Sequence, residues 1–241
     1  LWFIKNACSR LIVNKDTILC CSFAETAGSF GCFVHNNAFK KLNLNYIYKS
    51  FSVNNIASAL EAMRTLNIRG AGITMPFKKN VIQYLDTKSQ CVSEISACNT
   101  VVNTNGILYG ENTDFLGLKN YFTKVNQPAS NYIYILGNGG MSLAVQTACR
   151  SLKINYEVIT RKEFHKIASI KNSYIFNATP LIHLDASQCN NIVHANVSTH
   201  TGMYLAILQA SFQFKLYTSR EFPIEYIFQC VNEKYKTNLI I

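Results

Sequence analysis

Residues 132–140 constrain this chain more than any other stretch. Tyr132-Ile133-Tyr134-Ile135-Leu136 is a short β-rich run, Gly137-Asn138-Gly139-Gly140 follows it, and an apolar segment of helical composition extends from Met141 to Leu152. A strand that ends in a glycine turn and opens a helix lets the backbone approach a pyrophosphate. The first N–H groups of the helix and its positive dipole end then face the anion. A second β-rich run, Tyr156 to Thr160, comes at the distance of a βαβ unit, so a Rossmann-like dinucleotide-binding unit is expected. At the end of that second strand, where a carboxylate would hold the ribose hydroxyls of NAD, the chain has Thr160-Arg161-Lys162. Two cations and a hydroxyl suit a 2′-phosphate, which favours NADP.

The first half alternates in the same manner. Thr17 to Ser22 reads as a strand, Ala24 to Gly31 as a loop, and His35 to Leu42 as a helix ended by Asn43. Asn45 to Phe51 is a second strand, and Ile56, Leu60, Met63 and Leu66 recur at helical spacing. Ala71 to Met75 is a short apolar strand stopped by Pro76, and Val81 to Leu85 reads as a helix. This alternation predicts an α/β fold with a mainly parallel sheet. Thr100 to Asn103 and Ile107 to Tyr109 flank Thr104-Asn105-Gly106, a hairpin signal. Thr113 or Asp114 can cap the helix from Phe115 to Phe122, and Pro128 to Asn131 is a polar break.

Composition removes several alternatives. With 241 residues, 49% hydrophobic and 15% charged, the chain is no disordered segment, coiled coil or collagen-like fibre. At about 150 residues per domain it holds about 1.6 domains, so one large or two small units are expected. No apolar run approaches the roughly 18 residues of a membrane span. Nine cysteines occur without a C-x-x-C pair or a His pair at ligand spacing, so no metal site is expected. Reduced, mostly buried thiols in a cytoplasmic protein are the economical reading. The net charge of +10 is spread along the chain without a basic helix, zinc finger or RNA-binding motif. It therefore speaks for anionic small molecules and against nucleic acid.

Two positions in the first half place an ionisable group at an element end. Thr74-Met75-Pro76-Phe77-Lys78-Lys79 puts Lys78 just past a buried strand, and Asn112-Thr113-Asp114 puts a carboxylate at a helix start. Strand ends of this kind line the cleft of α/β proteins. Reducing a ketone needs a proton donor as hydride arrives, and a lysine beside a carboxylate can serve. His35, in the pair that opens the first helix, is expected to cap or to pack in the core. His165, His183, His194 and His200 fit no triad or ligand pattern.

The segments SFGCFVHNNAFKKLNLNYIY, GITMPFKKNVIQYLD, ACNTVVN, YGENTDFLG, ILGNGGMSLAV, FNATPL and GMYLAILQASFQFKLYT, in this order, resemble the shikimate dehydrogenase family over most of residues 15–220. The resemblance is strongest to its shikimate dehydrogenase-like branch, with its MPFK context and its glycine in the substrate loop. It implies that Lys78 and Asp114 are the catalytic pair. Thr74, Asn99 and Gln209 would bind substrate hydroxyls, and Ser29 would lie in the loop that takes the carboxylate. Gly137, Gly139, Gly140, Arg161, Asn177, Ala178, Thr179 and Gly202 would form the cofactor side. The implied reaction is the reversible NADPH-dependent reduction of 3-dehydroshikimate to shikimate, in chorismate and aromatic amino-acid biosynthesis, by a monomer or homodimer.

The chain also departs from the family's pattern. Gly31 stands where a second loop serine is usual, which weakens the case for shikimate itself and leaves quinate or a related hydroxy acid open. The spans between Arg161 and Asn177 and between Val197 and Gly202 are short, and Ala195 falls where an acidic partner is usual. The expected architecture is thus a two-domain α/β protein. A mixed α/β substrate domain over 1–116, completed by C-terminal helices over 202–241, would face a shortened Rossmann-like NADP-binding domain over 117–201. The rival reading is a catalytically weakened relative that binds a nucleotide or small molecule.

Overall fold

The computed structural model describes residues 13–124, 131–184, 186 and 191–240. Two sheets organise the chain. The first has six strands: β1 (Ile18–Ala24), β2 (Tyr46–Ser52), β3 (Gly70–Ile73), β4 (Thr87–Lys88), β5 (Thr100–Thr104) and β6 (Ile107–Glu111), in the order β2-β1-β3-β5-β6-β4. β1 runs parallel to β2 and β3, whereas β5 is antiparallel to both β3 and β6. The sheet is therefore mixed, where the sequence predicts a mainly parallel one. The expected hairpin forms, with Asn105 and Gly106 at positive φ, but it joins the same sheet and so reverses its direction.

The helices follow from patterning and caps. α1 (Phe30–Lys41) begins five residues before the expected start, so His35 lies inside the helix and packs in the core instead of capping it. α2 (Ile56–Thr65) is amphipathic, buries Ile56, Leu60 and Met63, and is capped by Asn55, whose side chain accepts from the Ser58 N–H at 3.1 Å. The expected helix over 81–85 is a single 3₁₀ turn at Asn80–Tyr84. The sequence reading missed β4 and α3 (Gln90–Ile95), since two and six residues are too short to display a period. α4 (Thr113–Lys124) is capped by Asn112, whose Oδ1 accepts from the Phe115 N–H at 2.9 Å, and not by Thr113 or Asp114. That leaves both of those side chains for the site.

The second sheet holds β7 (Tyr132–Leu136), β8 (Asn155–Ile159), β9 (Tyr174–Asn177) and β10 (Asn191–His194) in the order β10-β9-β7-β8, all parallel. α5 (Gly140–Leu152) joins β7 to β8, and one 3₁₀ helix at Arg161–Ser169 fills the shortened span before β9. Residues 128–130 of the expected polar break lie outside the described residues. α6 (His200–Thr218) and α7 (Ile224–Tyr235) return to the first sheet. The largest apolar cluster joins both sheets, with Phe39 and Tyr48 from one side, Ile133 and Phe176 from the other, and Phe122 of α4 and Phe214 of α6 among them. This shared core fixes the cleft between the sheets.

Candidate active site

A cavity of about 360 Å³ opens above the ends of β1, β3 and β5 and is closed by α4, α6 and the start of α5. Lys78 follows β3 through a tight turn in which the Phe77 N–H donates to the Thr74 carbonyl at 2.9 Å, and its own carbonyl is tied to the Cys98 N–H at 2.8 Å. Its Nζ donates to Asp114 Oδ2 at 2.5 Å, with the lysine side chain 14% and the aspartate 5% exposed. Asp114 stands in the first turn of α4, where the helix dipole favours a carboxylate. The pair is shielded from water yet open to the cavity, as a proton donor at a reacting oxygen requires.

Asn99 is held from three sides. Its Oδ1 accepts from the Thr113 N–H at 2.7 Å and from Thr100 Oγ1 at 3.1 Å, while its Nδ2 donates to Thr113 Oγ1 at 3.0 Å and to Gln209 Oε1 at 3.4 Å. One turn along α6, Gln213 Nε2 donates to Thr100 Oγ1 at 3.0 Å, and its Oε1 accepts from His35 Nε2 at 3.3 Å. His35 is 1% exposed and stacks on Tyr48 with ring centroids 4.4 Å apart. Burial lowers its pKa from 6.5 to about 4, so the ring is neutral at physiological pH. A continuous polar chain thus runs from His35 to Asn99 and Gln209. The sequence reading missed His35, Thr100, Thr113 and Gln213 as members of it, although Thr100 and Thr113 adjoin residues it had singled out.

Lys78, Asp114, Thr74, Asn99 and Gln209 all line the cavity. Ser29 does not: it is exposed at the start of α1 and makes no side-chain cap, whereas its neighbours Gly28, Phe30 and Gly31 reach the cavity wall. The remaining positions gather at the carboxyl ends of the second sheet. Gly137 has φ +102°, and a Cβ there would lie 2.9 Å from Thr179 Cγ2, so only glycine fits the turn. Around Gly139, the N-cap of α5, nothing lies within 4 Å of the position a Cβ would take. α5 has no side-chain cap and no acidic residue in its first turn. An open glycine turn on an uncapped helix start fits a pyrophosphate group.

Gly140 connects the two halves of the site, since a Cβ there would stand 3.1 Å from Lys78 Cδ. Asn177 is buried; its Oδ1 accepts from the Thr179 N–H at 3.0 Å and Thr179 Oγ1 at 2.7 Å, and its Nδ2 lies 3.0 Å from His194 Nδ1. It shapes the loop beside the glycine turn, and His194, given no role in the sequence reading, completes that contact. Arg161 and Lys162 are exposed at the end of β8. The nearby acid, Glu163, is engaged by Thr160 Oγ1 at 2.8 Å and Lys166 Nζ at 2.8 Å, which hold its carboxyl down at about 2. Gly202, in the first turn of α6, is buried under the Asn196 carbonyl, where a Cβ would collide, and its N–H donates to Thr199 Oγ1 at 3.1 Å.

A four-stranded parallel sheet led by a glycine turn, facing a mixed α/β unit across a cavity with a buried lysine–aspartate pair, defines a two-domain protein with a Rossmann-like half. Residues 25–101 match the family model of the shikimate dehydrogenase substrate binding domain. The chain is 36% identical over 140 residues to a shikimate dehydrogenase-like protein of Haemophilus influenzae, covering 58% of this chain and 52% of that one. It is 35% identical over 191 residues to a shikimate dehydrogenase (NADP(+)) of Alkaliphilus oremlandii, covering 73% and 65%. The chain thus spans between half and two thirds of the length of these relatives. The solved structure of a shikimate 5-dehydrogenase-like protein superposes with a TM-score of 0.73 at 26% identity, covering 91% of this chain and 98% of that one. That of shikimate 5-dehydrogenase from Thermus thermophilus shares the fold with a TM-score of 0.76 at 20% identity, covering 91% and 100%. The chain is thus similar in sequence to shikimate dehydrogenases, most specifically to their substrate binding domain over residues 25–101, and it shares their fold.

Proposed function

We propose that this chain is an NADP-dependent shikimate dehydrogenase that interconverts 3-dehydroshikimate and shikimate in the cytoplasm. The observation that carries the reading is the Lys78–Asp114 pair, buried in the cavity wall and packed against the glycine turn at Gly140. Residues 1–116 with 202–241 form the substrate domain, and residues 117–201 the nucleotide domain. The Gly137, Gly139 and Gly140 backbone and the start of α5 hold the pyrophosphate, and Arg161 with Lys162 pairs the 2′-phosphate. The engagement of Glu163 by its own neighbours leaves no free carboxylate there to prefer NAD.

When bound, NADPH supplies the hydride. Lys78 holds the carbonyl oxygen and gives it a proton as charge develops, and in the reverse direction it takes the proton from the hydroxyl. Asp114 keeps the ammonium aimed. Asn99, Gln209 and Thr74 pair the ring hydroxyls, and the Thr113 and Thr100 contacts fix the Asn99 amide so that a ligand lacking those hydroxyls leaves buried groups unpaired. The test is absorbance at 340 nm with shikimate and NADP, with quinate and NAD in parallel. Turnover that falls about a hundred- to ten-thousandfold in Lys78→Ala supports the reading. Absence of turnover with every pair overturns it.

A further inference from the structure

The cavity has a second polar wall that the catalytic reading leaves unused. In register, Ser50 of β2 stands beside Ser22 of β1, Ser22 beside Gly72 of β3, and Gly72 beside Thr100 of β5, so the four share one face of the sheet. Ser22 Oγ donates to Ser50 Oγ at 2.9 Å; Ser50 Oγ also lies 3.2 Å from Cys32 Sγ, and with that thiol as donor Ser50 has its own hydrogen to give. The Tyr48 hydroxyl faces Ser22 and lies 2.9 Å from where a Cβ on Gly72 would be and 3.7 Å from a Cβ on Gly31. The two glycines therefore leave these hydroxyls open to the cavity, and Ser22, Tyr48 and Ser50 all line it. Above this wall starts α1, with neither a side-chain cap nor an acidic residue in its first turn.

We infer that Ser22, Ser50 and Tyr48 determine specificity by receiving the carboxylate of the ring substrate, in place of the loop hydroxyl that Gly31 lacks. The inference rests on the function proposed above. Strand order separates the two walls: Ser22 and Ser50 lie on β1 and β2, while Asn99 and Asp114 lie at the start of β5 and on α4. Two strand spacings, about 10 Å, part Ser22 from Thr100. A six-membered ring with its acid group and a hydrogen bond of about 2.8 Å at each end fills that gap. Neutral hydroxyl donors beside a helix start suit an anion and need no cation. Ser29, being exposed outside the cavity, leaves this wall as the source of the donors.

Calorimetric titration of the full chain with shikimate and with shikimate methyl ester tests this, using wild type, Ser50→Ala, Ser22→Ala/Ser50→Ala and Tyr48→Phe. The wild type is expected to bind the acid at least tenfold more tightly than the ester. The double variant should bind the acid roughly ten- to hundredfold more weakly while its affinity for the ester stays the same. Unchanged acid binding in a folded double variant would overturn the inference and leave the proposed function standing. Should the double variant fold poorly, Ser50→Ala on edge strand β2 decides, and an unchanged acid-to-ester ratio counts against the inference. A wild type that binds neither compound and turns neither over removes both readings.

Discussion

His35 carries the clearest residue-scale consequence. Its pKa falls from 6.5 to about 4 because burial penalises the charged ring, and its Nδ1 has no partner among the described residues. The unfolded chain therefore takes up this proton at a higher pH than the folded one. Stability falls as pH drops from about 6.5 towards 4, by about 3 kcal/mol in all, and levels off below. Thermal melting across that range should show a slope that His35→Gln reduces. Tyr217 makes the opposite case: its ring is 1% exposed and its buried hydroxyl has no partner. Tyr217→Phe is expected to leave stability unchanged or to raise it by up to about 1 kcal/mol, read from urea unfolding. The sequence allowed His35 to pack in the core but gave no sign of its unpartnered Nδ1, and Tyr217 was one of thirteen tyrosines.

Among the elements, the close approach of α4 and α6 decides whether the substrate wall forms. A Cβ on Gly117 would lie 3.0 Å from the Gln209 backbone nitrogen and 3.2 Å from its Cα, so backbone would have to give way. Gly117→Ala should cost about 1–3 kcal/mol. It should also raise KM for the ring substrate more than KM for NADP, since Gln209 moves away from Asn99 and Thr113 while the glycine turn stays put. Gly140→Ala works at the other contact. The added methyl presses on Lys78 Cδ, so kcat should fall with a smaller change in the KM for shikimate, which steady-state kinetics separates. The sequence marks Gly140 through its turn but gives no sign of Gly117, whose requirement arises from a helix nearly a hundred residues away.

For the molecule as a whole, the shared core of Phe122, Ile135, Phe176 and Phe214 sets the distance between the two sheets. Under the proposed function, cofactor choice falls to Arg161 and Lys162 at the far end of β8, away from the Lys78–Asp114 pair. Arg161→Ala is expected to weaken NADP binding by about tenfold or more and to leave NAD binding unaffected, measured by calorimetry with both nucleotides.

By itself, the sequence determined the strand, glycine turn and helix at 132–152, the hairpin at Asn105-Gly106, and the strand-end lysine and helix-start aspartate. These are local signals, written in periodicity, in residues that tolerate positive φ, and in short motifs. Only the tertiary structure brought Lys78 within 2.5 Å of Asp114, threaded His35 and Gln213 into the Asn99 network, left Ser29 outside the cavity, and aligned Ser22 with Ser50 across two strands. Those outcomes depend on register and on helix packing between residues far apart in the chain. Local sequence carries no such information, because the free energy that fixes them comes from the core as a whole.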